Sequence, residues 1–203
     1  MLKKTIKVIW TIPFFLFSIL VWPFFYDKKY LHAPEFSSLQ EKGWLWVPRD
    51  IWARLTRRQN VSIRWPVAPE CVCGNNIEFP PEDVGYFQNN GGYFQTINGK
   101  ITIGKGCKFA NGVALITTNH DPYCIEKHVE GKDIVIGDYC WLGRNVTVLP
   151  GVTLGEHTIV GAGAIVTHSF PEGYLVLAGN PAREIKKLDP NCFPAQTESN
   201  KEN

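Results

Sequence analysis

IGDYCW-LGRNVT-VLPGVT-LGEHTI-VGAGAI-VT, residues 136–167, places an aliphatic side chain at every sixth position: Ile136, Leu142, Val148, Leu154, Val160 and Val166. Ile103, Phe109 and Leu115 carry the same phase upstream. Neither a 3.6-residue helix nor a two-residue strand gives period six, so the pattern demands a repeated structural unit. With one short strand and one corner per hexad, three hexads close a triangular coil and every first-position side chain points at the axis. That is a parallel β-helix. The fifth positions agree, since Cys107, Val113, Cys140, Val146, Val152, Thr158 and Ala164 are small enough for a tight inner corner. Asn119 and Phe170 break that rule where the regular repeat ends. Stacked coils bury each aliphatic residue between its counterparts, at about 1.5–3 kcal/mol per side chain.

Upstream, Gly91 to Thr102 reads as an irregular first coil, with Ile97 in phase and Gly91, Gly92 and Gly99 loosening it. Downstream of Val166 the phase is lost. Arg183 to Leu188 suggests a short closing helix, and residues 189–203 a polar, disordered tail. The expected division is therefore a segment 1–65, a β-helix domain 66–188 and the tail.

Charge and tryptophan separate the first segment from the rest. Residues 1–65 hold eleven Lys and Arg against four Asp and Glu, whereas residues 66–203 hold ten against fifteen. Six of the seven tryptophans (Trp10, Trp22, Trp44, Trp46, Trp52, Trp65) also fall in 1–65. Basic and Trp-rich composition suits a membrane interface, where indoles sit at headgroup level and cations meet anionic lipid; nucleic acid is the weaker alternative. Val8 to Tyr26 carries no charge, so it predicts a retained hydrophobic anchor, spanning or entering one leaflet, with Pro13 and Pro23 opposing a straight helix. Pro48 to Gln59 predicts a short amphipathic helix with Ile51, Trp52 and Leu55 on one face and Arg54, Arg57 and Arg58 elsewhere, packed on lipid or on its own domain.

Six cysteines at irregular spacing do not form a disulfide framework, and Cys71 and Cys73 lack the two-residue gap of a zinc motif, so no metal is assigned. Chemistry points instead to the break in the repeat. Hexads run from Ile103 to His120 and resume at Ile136, so residues 121–135 leave the helix as a loop. His120 sits at the mouth of that loop, where a neutral imidazole can take a proton from a hydroxyl. Asp121, Glu82, Asp83 or a backbone carbonyl are its candidate orienting partners. His128, inside the loop, either touches an acceptor or is solvated, the latter being the simpler reading.

Asn119-His120-Asp121, Gly131 to Gly137, Cys140 to Gly143, Leu149-Pro150-Gly151-Val152, Val160 to Thr167 and Gly179 to Arg183 together resemble the hexapeptide-repeat acyltransferases, in the branch of galactoside, maltose and surface-polysaccharide O-acetyltransferases. The resemblance implies a left-handed β-helix, a homotrimer with active sites between subunits, and acetyl-coenzyme A as acyl donor in the groove. It implies His120 as general base without a covalent acyl-enzyme. Trp141 matches the aromatic at the acetyl end of the groove, Gly143, Ala162 and Thr167 match positions along the pantetheine arm, and Pro181 and Arg183 match the segment near the nucleotide. Asn90 aligns with an asparagine near the acceptor, although Asn89 is adjacent. His168 stands where the family commonly has lysine, which weakens phosphate attraction there.

The leading expectation is an acetyl-coenzyme A-dependent O-acetyltransferase for a sugar hydroxyl, held at the cytoplasmic face of the inner membrane beside a lipid-linked glycan. Rival readings are transfer to a free sugar or antibiotic, a zinc-dependent carbon dioxide hydratase on a similar trimer, and a non-catalytic scaffold.

Overall fold

The computed structural model describes residues 16–18, 20–38 and 41–193. Its strands are short because each hexad leaves only two or three residues before the next corner. β1 (Val72–Cys73), β3 (Tyr93–Gln95), β6 (Ala114–Ile116), β11 (Thr147–Val148) and β14 (Ile165–Val166) stack in parallel as sheet 1. β5 (Lys108–Phe109), β10 (Trp141–Leu142), β13 (Ile159–Val160) and β15 (Leu175–Ala178) stack as sheet 2, which β16 (Arg183–Lys187) closes in antiparallel fashion. β2 (Ile77–Glu78), β4 (Ile101–Ile103), β9 (Ile134–Ile136) and β12 (Thr153–Leu154) form sheet 3. Each coil passes sheet 3, sheet 2 and sheet 1 in turn, which is the parallel β-helix expected from period six.

Register makes the repeat explicit. Trp141 pairs with Ile159, Thr147 with Ile165 and Val135 with Thr153, each 18 residues apart. Across the excursion the step is 33, as in Ile101 with Ile134 and Lys108 with Trp141, so fifteen residues leave the coil. All nine first-position residues from Ile103 to Val166 are buried, as are the seven small corner residues. Gly155 shows how closely the corners approach: a Cβ there would lie 2.4 Å from the main chain of Pro171 and Gly173.

Three expectations are corrected. Arg183 to Leu188 does not form a helix: β16 pairs with β15, Ala178 opposite Arg183 and Leu175 opposite Lys187, because the edge of sheet 2 offers an open ladder that local propensity cannot match. Residues 189–193 of the tail are ordered, with Phe193 against His157 (4.2 Å between ring centroids) and Tyr174; residues 194–203 lie outside the described residues. Ile97 is 42% exposed, and the first coil is filled by Phe94 and Phe87 instead.

Helix α1 (Gly43–Arg57) starts five residues before Pro48. Its apolar face is not the one expected, since Ile51 is fully buried while Trp52 and Leu55 are 59% and 57% exposed. The inward face is completed by a polar pair. Asp50 Oδ2 accepts from Arg54 Nε and Nη2 (3.0 and 2.8 Å), the Tyr26 hydroxyl (3.0 Å) and the Val67 amide (3.0 Å), and Arg54 donates onward to the carbonyls of Ile63 and Trp65. Burial pushes the Asp50 carboxyl up while Arg54 pulls it back. Arg54 is therefore withdrawn from any surface cluster, leaving Arg57 and Arg58 exposed.

Aromatic rings close the N-terminal end of the β-helix. Tyr30, Trp65, Phe79, Phe87 and Phe94 pack in sequence at centroid spacings of 4.8–5.5 Å. Residues 8–15 and 19 of the anchor expected at Val8–Tyr26 lie outside the described residues; at its end Tyr26 is buried, and Trp22 and Phe25 pack against the core. Among the described residues no helix is long and apolar enough to cross a membrane.

Candidate active site

The excursion is a β-ribbon, not a plain loop: β7 (His120–Asp121) pairs antiparallel with β8 (Cys124–His128). Its base is clamped to the coil. Thr118 Oγ1 donates to the Val129 carbonyl (2.9 Å), the Val129 amide to the Asn119 carbonyl (3.0 Å), and the Lys132 amide to the Thr117 carbonyl (2.8 Å). Thr117 and Thr118 are buried, so the point of departure is rigid while the ribbon above it is exposed.

His120 lies on that ribbon with Nδ1 2.6 Å from the Ile125 carbonyl. A carbonyl only accepts, so Nδ1 carries the proton, and in the neutral form of the ring Nε2 is the unprotonated acceptor. The orienting group is thus the backbone carbonyl among the candidates. Asp121 Oδ1 instead accepts from the Tyr123 amide (2.8 Å) and Asp83 Oδ2 from the Gly106 amide (2.8 Å). The His128 ring faces His120 across the ribbon at 4.3 Å.

The remaining site residues fall on two edges of the prism. Along the edge from sheet 1 to sheet 3, Asn119, Val129, Glu130, Lys132, Leu149, Pro150 and Thr167 line a recess of about 250 Å³ directly below the ribbon. Thr167 Oγ1 is hydrogen-bonded to His168 Nδ1 (2.7 Å). Along the edge from sheet 2 to sheet 1 lie Gly143, Ala162 and Pro181, with Asn90 above them. Gly143 donates its amide to Val160, and a Cβ there would stand 2.8 Å from the Ala162 amide, so only glycine lets these coils stack. Gly179 and Ala182 bracket Pro181 and bond the main chain of Ile165. Asn90 is exposed, with its amide on Asn111 Oδ1 (3.2 Å), whereas the Asn89 side chain is tied to the Phe109 carbonyl, which favours Asn90 as the available one of the pair.

Trp141 opens β10 on sheet 2, 53% exposed beside buried Leu142. Arg183 opens β16 on the same sheet, exposed, with Nη1 on the Ala182 carbonyl (3.0 Å). One chain therefore brings His120, His128 and Thr167 to one edge, and Asn90, Trp141, Gly143, Ala162, Pro181 and Arg183 to another edge and its adjoining face. Sequence reading missed Thr118 and Lys132 as clamp residues and Pro150 as a recess residue; for Thr118 and Lys132 the signal available was their position at the two ends of the excursion, and Pro150, in the turn between β11 and β12, carried no such signal. Among the described residues no cluster of three or more His, Cys, Asp and Glu is placed to hold a metal ion.

The bacterial transferase hexapeptide model (six repeats) matches residues 133–168, the most regular part of the coil. A Staphylococcus aureus (strain COL) protein provisionally named an acetyltransferase is 37% identical over 146 residues, 70% of this chain and 69% of that protein. The chain belongs to the hexapeptide-repeat acetyltransferase family, whose fold is the left-handed β-helix. A protein of Escherichia coli (strain K12) provisionally named a lipopolysaccharide biosynthesis O-acetyl transferase is 38% identical over 104 residues, 44% of this chain and 51% of that protein. The chain spans about half the length of this and other curated relatives that it matches. The maltose O-acetyltransferase structure from Clostridium difficile 630 aligns with 79% of this chain and 96% of its own, at 24% identity and a TM-score of 0.47.

Proposed function

We propose that this chain is an acetyl-coenzyme A-dependent O-acetyltransferase acting on a sugar hydroxyl, with His120 as general base. The observation that carries the reading is the Nδ1 contact to the Ile125 carbonyl, which leaves Nε2 free to accept a proton. A thioester is already activated, so alignment of two substrates and removal of one proton account for most of the catalysis required. Acceptor oxygen attacks the thioester carbonyl as its proton passes to Nε2; the C–O bond forms, the C–S bond breaks, and the departing thiolate takes up a proton as free thiol. Family membership and the names of its relatives support acetyl transfer, and the E. coli name supports a saccharide acceptor.

The two half-sites on different edges support a homotrimer in which the ribbon edge of one chain meets the Trp141 face of the next, with acetyl-coenzyme A between them. Gly143 and Ala162 offer a side of low relief for the pantetheine arm, and Arg183 a guanidinium for phosphate. A membrane-linked glycan acceptor at the cytoplasmic face fits the N-terminal segment. Leu20, Phe24, Leu45 and Leu55 are exposed apolar side chains there, with Lys28, Lys29, Arg57 and Arg58 exposed beside them in sequence. Coenzyme A places the donor on the same side.

The test compares ester-linked acetate on lipid-linked and surface glycans in cells expressing wild type or His120→Ala at matched levels. Acetate only with wild type is the expected result and exposes the acceptor. Equal acetate in both removes His120 from the reaction, and acetate in neither redirects the search to free sugars and antibiotics.

A further inference from the structure

The ribbon holds a second imidazole that the reaction as written does not use. His128 stands directly opposite His120 in the β7–β8 pairing, so both side chains leave the same face of the ribbon. The rings lie 4.3 Å apart at 33°, close to a stacked arrangement, and both residues are otherwise exposed. A hydrogen bond through Nδ1 restrains which way the His120 ring points, but leaves it free to rock about that bond. The neighbouring ring covers one of its faces and removes that freedom.

We propose that His128 is a positioning residue for His120, acting through the stack and not through contact with the acceptor. The inference rests on the reading of His120 as general base. Two restraints then fix the base: the Ile125 carbonyl selects the tautomer, and the His128 ring sets the plane in which the Nε2 lone pair meets the incoming hydroxyl. The same contact assists when the proton moves. His120 becomes an imidazolium during transfer, and the π face of a neutral ring at 4.3 Å attracts a cation. No bond to His128 forms or breaks.

The structural distinction from a substrate contact is that a ring suffices. His128→Phe keeps an aromatic face with no hydrogen-bonding atom, whereas His128→Ala removes the face. Steady-state kinetics of the purified full-length chain should show kcat lowered about three- to tenfold in His128→Ala, with KM for donor and acceptor little changed and kcat restored in His128→Phe. Nitrogen-15 NMR of the histidine rings supplies a readout independent of turnover. Wild type and His128→Phe should show the His120 ring held in one orientation, read from its ring relaxation, while His128→Ala should show the ring rocking about the Nδ1–H bond with the Nδ1–H tautomer kept. If the wild type transfers no acetyl group, the general-base reading fails while the NMR arm still decides the stack. A His128→Ala chain with wild-type kcat and wild-type ring mobility at His120 overturns the proposal, and so does a raised acceptor KM that phenylalanine does not restore.

Discussion

At the scale of single residues, position in the repeat separates packing from chemistry. Leu142 and Trp141 are neighbours on β10, yet the first is fully buried and the second half exposed, because alternate side chains of a strand face opposite ways. Replacing the outward residue should leave the core intact. Trp141→Ala is expected to weaken coenzyme A binding about tenfold, measured by calorimetry, with little change in the thermal midpoint. An equal loss of stability and affinity would mark the indole as packing. His120 was legible in the sequence because it stands where a strict period ends, and a break in a period is visible without coordinates. Its orienting partner was not, since four candidates were open and the choice depends on the ribbon register that brings the Ile125 carbonyl to Nδ1.

At the scale of elements, short local patterns misled wherever tertiary pairing supplied the missing term. Arg183 to Leu188 contains good helix formers and no alternation, but it forms β16 because β15 leaves an unpaired edge. In α1 the spacing of Ile51, Trp52 and Leu55 suggested one apolar face, whereas the buried face includes Asp50 and Arg54, which no hydrophobicity pattern would place inward. That pair is the joint between the N-terminal segment and the β-helix. It links Tyr26, α1 and the stretch from Ile63 to Val67 through one carboxylate oxygen and one guanidinium. Arg54→Met strands a buried carboxylate with its other donors in place, at an expected cost of about 3–5 kcal/mol in denaturant unfolding. Asp50→Asn with Arg54→Met, which removes both charges, should recover part of that loss. If Arg54→Met costs less than about 1 kcal/mol, the pair contributes as little as an exposed one.

At the scale of the whole molecule, the geometry that makes one chain a regular prism also separates its candidate site residues. Coils that pass sheet 3, sheet 2 and sheet 1 in order place the ribbon edge and the Trp141 face on different sides of the axis. The six-residue period made the prism legible, but a period has no information about which sides of two prisms meet. A rotationally symmetric trimer joins edge to face three times over with one kind of contact, and closes. Subunit mixing tests this directly. His120→Ala supplies an intact Trp141 face and a dead ribbon; Trp141→Ala with Arg183→Ala supplies the reverse. Assayed at an acetyl-coenzyme A concentration too low for the second variant alone, each parent should be inactive. Co-refolded in equal amounts they should regain about a quarter of wild-type sites, the chance that an intact ribbon meets an intact face in a ring of fixed direction. Activity no greater than the mean of the parents would place His120 and Trp141 in the same chain's site, and would require the ribbon to fold back across its own prism.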